Sequence, residues 1–259
     1  MIFADAALAR RVERAEAAIA RGTTGQPGTA VLEVDGGCAI FSGAASPLTQ
    51  AVGVGLNGPV GEARVAEIEH FFEARGACPR FELCPMADPE FVAILSHRGY
   101  RPAEFNNVLV KPLAGAEIAF TARARRAVAG EADLWAHTVG CGFFEHAELT
   151  DDEMEIGRAI AHMPGAVCFL ASTETGQVAA AAAVATHDGL ATLFADSTVA
   201  GFRRLGLHRE LIAARLNEAI ATGCDLAASS TLPGSGSQRN YERLGFQVIY
   251  TRITMVREK

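Results

Sequence analysis

The stretch Thr198 to Leu211, TVAGFRRLGLHREL, has the residue types and order of an anion site. The β-capable, largely apolar stretch Leu190 to Val199 leads into it, and an amphipathic helical pattern follows. A chain that passes from a strand into a helix start leaves several N–H groups without helical acceptors, aimed at one spot. These donors and the helix dipole attract phosphate. Gly206 lets such a group approach the main chain, and Arg203 and Arg204 add charge at the rim. An ordinary strand-to-helix turn with solvated arginines has the same local sequence, so a second stretch must decide between them.

The elements that must hold this turn can be read along the chain. Residues 5–21 have the spacing of an amphipathic helix, with Leu8, Val12, Ala15 and Ile19 on one side. Strands are expected at 29–34 and 38–41 around the hairpin signal Asp35-Gly36-Gly37, and at 51–56. A helix over 62–74, a strand over 80–83, a helix over 88–97 opened by Asp88-Pro89, and a strand over 105–110 complete the first half. The stretch 111–116, KPLAGA, marks a boundary.

The second half opens with an extended segment near 118–121 and helices at 131–140 and 151–162. Thr150 and Glu153 form a capping box for the latter. Strands follow at 167–172, 178–186 and 190–199, with His187-Asp188-Gly189 as a hairpin turn. Then come a helix over 205–221, a strand over 225–229, a helix over 237–244 and a strand over 246–256. The run Ala179 to Ala183 has helix propensity, so its assignment as a strand rests on the turns that flank it.

The two halves end alike. Gly99 and Gly245, 146 residues apart, each follow a short helix and precede a strand, and the same offset sets Cys78 against Cys224. A duplicated unit accounts for this. The copies differ where chemistry would sit: Leu95 stands opposite Tyr241, and residues 56–62 lack the arginine-rich turn. If one half is active, it is the second.

Arg203-Arg204-Leu205-Gly206-Leu207-His208 resembles the pyrophosphate loop of the GNAT superfamily of N-acetyltransferases, Gln/Arg-x-x-Gly-x-Gly/Ala. Tyr241-Glu242-Arg243-Leu244-Gly245-Phe246 resembles that family's Tyr-Glu-Lys-Leu-Gly-Phe segment. The resemblance covers residues 118–259 and departs at His208, where the family prefers Gly or Ala. It implies an α/β fold of two tandem acetyltransferase-like units, each a mixed, mostly antiparallel sheet flanked by helices. Residues 1–112 would form a degenerate domain and residues 117–259 an acyl-CoA-binding one.

The implied cosubstrate is acetyl-CoA or a related acyl-CoA. Main-chain groups of Thr198 and Val199 would pair with the pantetheine arm, and amides from Arg204 to His208, with Arg203 at the rim, would hold the pyrophosphate. Ser235 or Ser237 would touch the cofactor beyond the next strand. Tyr241 would protonate the departing thiolate after direct attack by a neutral amine. Asp196, at the end of the central strand, is a candidate base. Glu145-His146, in the loop where the family often builds its acceptor site, and bound water are alternatives.

Composition limits the alternatives. The 259 residues are 49% hydrophobic and 20% charged, with a formal net charge of −7. This is a folding chain and a poor general ligand for nucleic acid or anionic membrane. The six cysteines form no C-x-x-C pair and are expected to be buried, reduced thiols. No histidine spacing suggests a metal. Met1 leads straight into a charged helical pattern and the longest apolar run, Val178 to Ala185, is too short to span a bilayer. A soluble cytoplasmic protein, monomer or homodimer, is expected. Transfer of an acetyl group to a small-molecule or peptide amine is the leading expectation. The alternatives are a CoA-binding regulatory or scaffold protein without turnover, and a nucleotide or phosphometabolite binder that uses only the arginine turn.

Overall fold

The computed structural model describes all residues except Met1, Ala116, Glu117, Phe120, Thr121, Glu258 and Lys259. In the first half the elements are α1 (Ala6–Gly22), β1 (Ala30–Val34), β2 (Gly37–Phe41), β3 (Gln50–Val52), α2 (Glu62–Glu73), β4 (Arg80–Leu83), α3 (Pro89–His97) and β5 (Arg101–Pro112). The second half runs β6 (Ala124–Arg126), α4 (Ala132–Phe143), α5 (Asp151–Ala161), β7 (Ala166–Ser172), β8 (Val178–His187), β9 (Leu190–Thr198), a 3-10 turn at Ala200–Phe202, α6 (Leu207–Ala221), β10 (Leu226–Thr231), α7 (Gly236–Arg243) and β11 (Gln247–Val256). The duplication is visible in the element starts: β4 and β10 begin 146 residues apart, as do β5 and β11.

The elements depart from the sequence pattern in places. The strand expected over 51–56 stops at Val52, with Gly53 and Gly55 at positive φ just beyond it. β6, whose two arginines are exposed, carries no apolar alternation to announce it. The segment expected near 118–121 lies partly outside the described residues, Phe120 and Thr121 being among those not described.

The chain divides into two compact units. One comprises the residues up to Val108, Thr231–Pro233 and those from Val248 onward; the other comprises Leu109–Ser230 and Gly234–Gln247. This differs from the contiguous division at 112 and 117, because the last strand belongs to the first unit. There β11 pairs antiparallel with β4, Ile253 opposite Leu83. Buried polar contacts secure it: Tyr250 Oη donates to Glu13 Oε1 at 2.7 Å and Arg252 Nε donates to the same oxygen at 3.0 Å. A carboxylate as deeply buried as Glu13 needs such partners, and α1 alone supplies none.

In the first unit the strand order is β1-β2-β3-β4-β11-β5. β1, β2 and β3 pair antiparallel, and β3 and β4 pair parallel. α1 covers one face through Ala17 on Cys38, Ile40 and Val52. α2 and α3 contribute Val65, Ile68, Phe72, Phe91 and Leu95 to the core that contains Phe81 and Ala51. The connection from β3 to α2 is filled by its own buried Val54, Leu56 and Val60, so it presents apolar side chains inward where the other unit carries arginines. Leu95 is fully buried against this core.

The second unit repeats the plan. β6, β7, β8 and β9 pair antiparallel in order, and β9 and β10 pair parallel. Alanine fills β8 because both faces of that strand are covered. Ala180 and Ala182 lie in the core with Leu207, Leu211 and Ile212 of α6, while Ala181 and Ala183 lie with Trp135 and Val139 of α4. Small side chains let a helix approach each face, and burial of the flanking elements overrides the helix propensity of the run.

Candidate active site

The site begins with an irregularity in β9. The β8–β9 register shifts between Ala181 and Ala183, which pair with Ser197 and Phe194 respectively. Within this bulge Ala195 has φ +54°, a left-handed conformation rare for a residue with a Cβ. Buried side-chain donors meet main-chain carbonyls of β8 beside the bulge. Trp135 Nε1 donates to Ala182 O at 3.1 Å and Arg215 Nη1 donates to Ala183 O at 3.0 Å. The extra residue re-aims the strand, so that Asp196 and Thr198 both border a cavity.

The parallel pairing of β9 with β10 extends from Leu190–Leu226 to Leu193–Ser229. The Ser229 hydroxyl donates to Leu193 O at 2.9 Å at that last rung. The β9–β10 rungs end there, and a cavity of about 740 Å³ is lined by the end of β9, Asp196, Ser197 and Thr198. The end of α4 sits tightly on this segment: a Cβ on Gly142 would lie 2.0 Å from Ser197 Oγ and 3.0 Å from the Thr198 main chain.

After β9 the chain makes its 3-10 turn and reaches α6 through Arg204 at φ +69° and Gly206 at φ +80°. Gly206 is the N-cap and brings no side chain to cap the helix. Glu210 N–H reaches back to Gly206 O at 3.2 Å, as the first helical bond. Among the described residues the six amides from Arg204 to Arg209 have no hydrogen-bond acceptor. Five arginines line the cavity at this point: Arg203, Arg204, Arg209, Arg239 and Arg243. Free donors, the positive end of a 15-residue helix and five guanidinium groups make a strongly electropositive concavity.

Asp196 is the acidic residue on that wall, and it is fully engaged. Its Oδ2 accepts from Tyr241 Oη at 2.7 Å and Arg215 Nη1 at 3.2 Å. Its Oδ1 accepts from Arg215 Nη2 and from His208 Nε2, the latter at 3.1 Å. Burial opposes the charge, but the Arg215 guanidinium and the hydrogen bond from His208 outweigh it and hold the carboxyl well below the usual carboxylate range. Arg215 is itself fully buried, and the charge of Asp196 keeps it ionised. Burial pushes the Tyr241 phenol upward. Asn240 Nδ2 donates to His208 Nδ1 at 2.9 Å, and the His208 ring meets Tyr241 edge-on at 5.8 Å.

No family model matches this chain, and no curated protein matches it. Solved structures do. A GCN5-related N-acetyltransferase from Kribbella flavida superimposes with TM-score 0.71 at 21% identity, over 97% of this chain and 96% of its own. A tandem GNAT protein from the clavulanic acid biosynthesis pathway gives 0.61 at 14% identity, covering 98% and 95%. A GCN5-related N-acetyltransferase from Sphaerobacter thermophilus gives 0.58 at 14% identity, covering 88% and 75%.

The chain has the GNAT fold.

On this GNAT fold the residues anticipated from sequence fall into two groups. Thr198, Arg203, Arg204, Gly206, Leu207, His208, Ser237 and Asp196 border the cavity. The others are turned to internal tasks. Val199 donates its N–H to Ala179 O and accepts from Phe202 N–H, so both its main-chain groups are in use. Leu205 is half exposed and its carbonyl accepts from Arg123. The Ser235 hydroxyl accepts from Gln238 N–H at 3.1 Å and caps α7. Tyr241 is completely buried, with its hydroxyl proton donated to Asp196. Arg203 also reaches across to Glu145 at 2.8 Å.

Sequence reasoning missed Arg209, Arg239, Asn240 and Arg215. Arg239 and Arg243 stand four apart on α7, a spacing that puts both on one helical face and could have been read as a pair. Arg215 gave no such signal, standing six residues from the other arginine of α6. All six cysteines are free thiols; Cys78 is exposed, unlike the buried state expected of it. Among the described residues no group of three His, Cys, Asp or Glu side chains is placed to hold a metal, and no helix is long and apolar enough to cross a membrane.

Proposed function

We propose that the second unit binds acyl-CoA and transfers the acyl group, acetyl in the simplest case, to a primary amine of a small molecule or peptide. The observation that carries this reading is the run of six unpartnered amides from Arg204 to Arg209 beyond the end of β9, ringed by five arginines. A diphosphate is dianionic and presents oxygens to several donors at once, which suits this curved row of N–H groups. The surplus of arginine suits a ligand with further phosphate, as coenzyme A has. The thioester end of such a ligand would run along the exposed edge of β9 toward Asp196.

The acyl transfer asks little covalent chemistry of the protein. The amine and thioester must be aligned, the carbonyl oxygen must be met by donors as charge develops, and the amine must lose a proton. The edge of β9 beyond Leu193, unpaired on its β10 side, supports the first two requirements. Neither Asp196 nor Tyr241 is available for the third as it stands. This mutual engagement favours a second reading, a CoA-binding protein without turnover.

Calorimetric titration with coenzyme A and then acetyl-CoA cleavage across a panel of amines tests the proposal. Binding that is lost in Arg204→Ala with Arg239→Ala, together with amine-dependent thiol release, is expected. Binding without release for any amine would favour the second reading, and no binding would exclude both.

A further inference from the structure

We propose that His208 is the proton-carrying residue of this site, taking the proton that the attacking amine loses and returning it to the departing thiolate, with Asp196 and Asn240 positioning its ring. The inference rests on the acyl-transfer reading above and deepens it. Five of the ionisable groups on the cavity wall are arginines, which remain charged throughout the accessible pH range. Asp196 already accepts from three side chains, and the Arg215 charge keeps it from taking a proton. Tyr241 does not line the cavity, and burial weakens further a phenol that is already a weaker acid than a thiol. His208 is the wall residue whose side chain can both gain and lose a proton near neutrality.

The geometry holds this imidazole in either charge state. Asp196 Oδ1 accepts a hydrogen bond from Nε2–H at 3.1 Å, which leaves Nδ1 as the nitrogen with a free lone pair. That lone pair accepts from Asn240 Nδ2 at 2.9 Å. A primary amide offers a donor on one side and an acceptor on the other, so half a turn of the Asn240 side chain would present Oδ1 to a protonated Nδ1. Asn240 lies on the cavity wall, where a water or an amine can take its place beside Nδ1. The groups facing His208 are therefore Asp196, with Arg215 and Tyr241 behind it, Asn240 on α7, and the cavity arginines.

In the transfer step the amine lone pair attacks the thioester carbonyl carbon and a C–N bond forms. The C–S bond breaks and its electron pair leaves on sulfur. The proton released by nitrogen passes to His208 Nδ1 and then from Nδ1 to the thiolate, so the products are an amide and a free thiol and the imidazole ends neutral. The departure from a small residue at position 208 thus has a chemical consequence, since Gly or Ala there could carry no proton.

Full-length protein with isotope-labelled histidine decides the matter by ring-nitrogen NMR, the His208 signals being assigned by their loss in His208→Gln. The expected result is reversible charging of His208 between pH 5 and pH 9, with Nε2 protonated in both states. Asn240→Asp should raise the midpoint by about one pH unit, and inorganic diphosphate should raise it further. His208→Gln keeps a donor to Asp196 yet cannot titrate, so it should lower acetyl transfer at least tenfold and flatten its pH profile. A ring that stays in one charge state over that range, or a His208→Gln variant with the wild-type rate and profile, would overturn the role of His208 while leaving cofactor binding intact. A normal titration with every amine silent would instead overturn acyl transfer, and this role with it.

Discussion

The Tyr241 hydroxyl donates to Asp196 Oδ2 at 2.7 Å, which joins the two residues singled out for catalysis to each other. Arg215 stands behind both, within 3.4 Å of the phenol oxygen and paired with the carboxylate. The phenol therefore serves the carboxylate. Tyr241→Phe removes one hydrogen bond to a charged acceptor that keeps its other partners. It is expected to lower unfolding free energy by about 1.5–3 kcal/mol, read from urea denaturation, and to leave coenzyme A affinity within about twofold of wild type.

Removal of Arg215 should be far more damaging. Arg215→Met keeps much of the volume but leaves Asp196 without its ion pair in the interior, and frees the Ala183 carbonyl at the bulge. A loss of about 3–5 kcal/mol is expected. The double variant Arg215→Met with Asp196→Asn should recover part of it, because the stranded charge is gone. A double variant no more stable than Arg215→Met would contradict the pairing.

Stability should fall on acidification through Asp196. Its folded pKa lies below its unfolded value, so the stabilisation is complete above about pH 4 and is lost as pH drops toward the folded value. Denaturation midpoints measured from pH 6 down to pH 3 should therefore decline less steeply in Asp196→Asn than in wild type, starting from a lower plateau.

The alkaline limb concerns tyrosine. The chain has three, Tyr100, Tyr241 and Tyr250, all buried, and in each case burial pushes the phenol above its ordinary value. A raised folded pKa gives stability that is present below about pH 10 and is lost as pH rises above it. Absorbance near 295 nm should show no tyrosinate while the protein is folded. Ionisation should appear together with loss of the circular dichroism signal, and tyrosinate formed in a fully folded protein would contradict the burial.

In the first unit, Arg252 and Tyr250 of β11 are the side chains that meet buried Glu13 of α1. Arg252→Met should cost about 3–5 kcal/mol by leaving a carboxylate without its cation. Because Glu13 belongs to the first unit and does not line the arginine-rich cavity of the second, coenzyme A affinity of the folded fraction should be unchanged.

The sequence by itself determined most elements, the duplication and the place of the arginine-rich turn between β9 and α6. Those features are local. Asp88-Pro89 and the Thr150–Glu153 box start helices by hydrogen bonds within four residues, and both caps form as the residues require. Gly206 takes the left-handed conformation that its place between strand and helix demands. The arginine turn depends only on chain direction and charge. Tertiary structure decided the rest. The bulge at Ala195 has no sequence mark, because it is held by Trp135 and Arg215, donors from two helices that are 60 and 20 residues away in the chain. Whether Asp196 is a base or half of a buried ion pair depends on which side chains surround it: His208 and Arg215 arrive from two different turns of α6 and Tyr241 from α7. Likewise β11 joins the first unit because Glu13 needs a cation and β4 needs a partner, both long-range demands that no window of sequence contains.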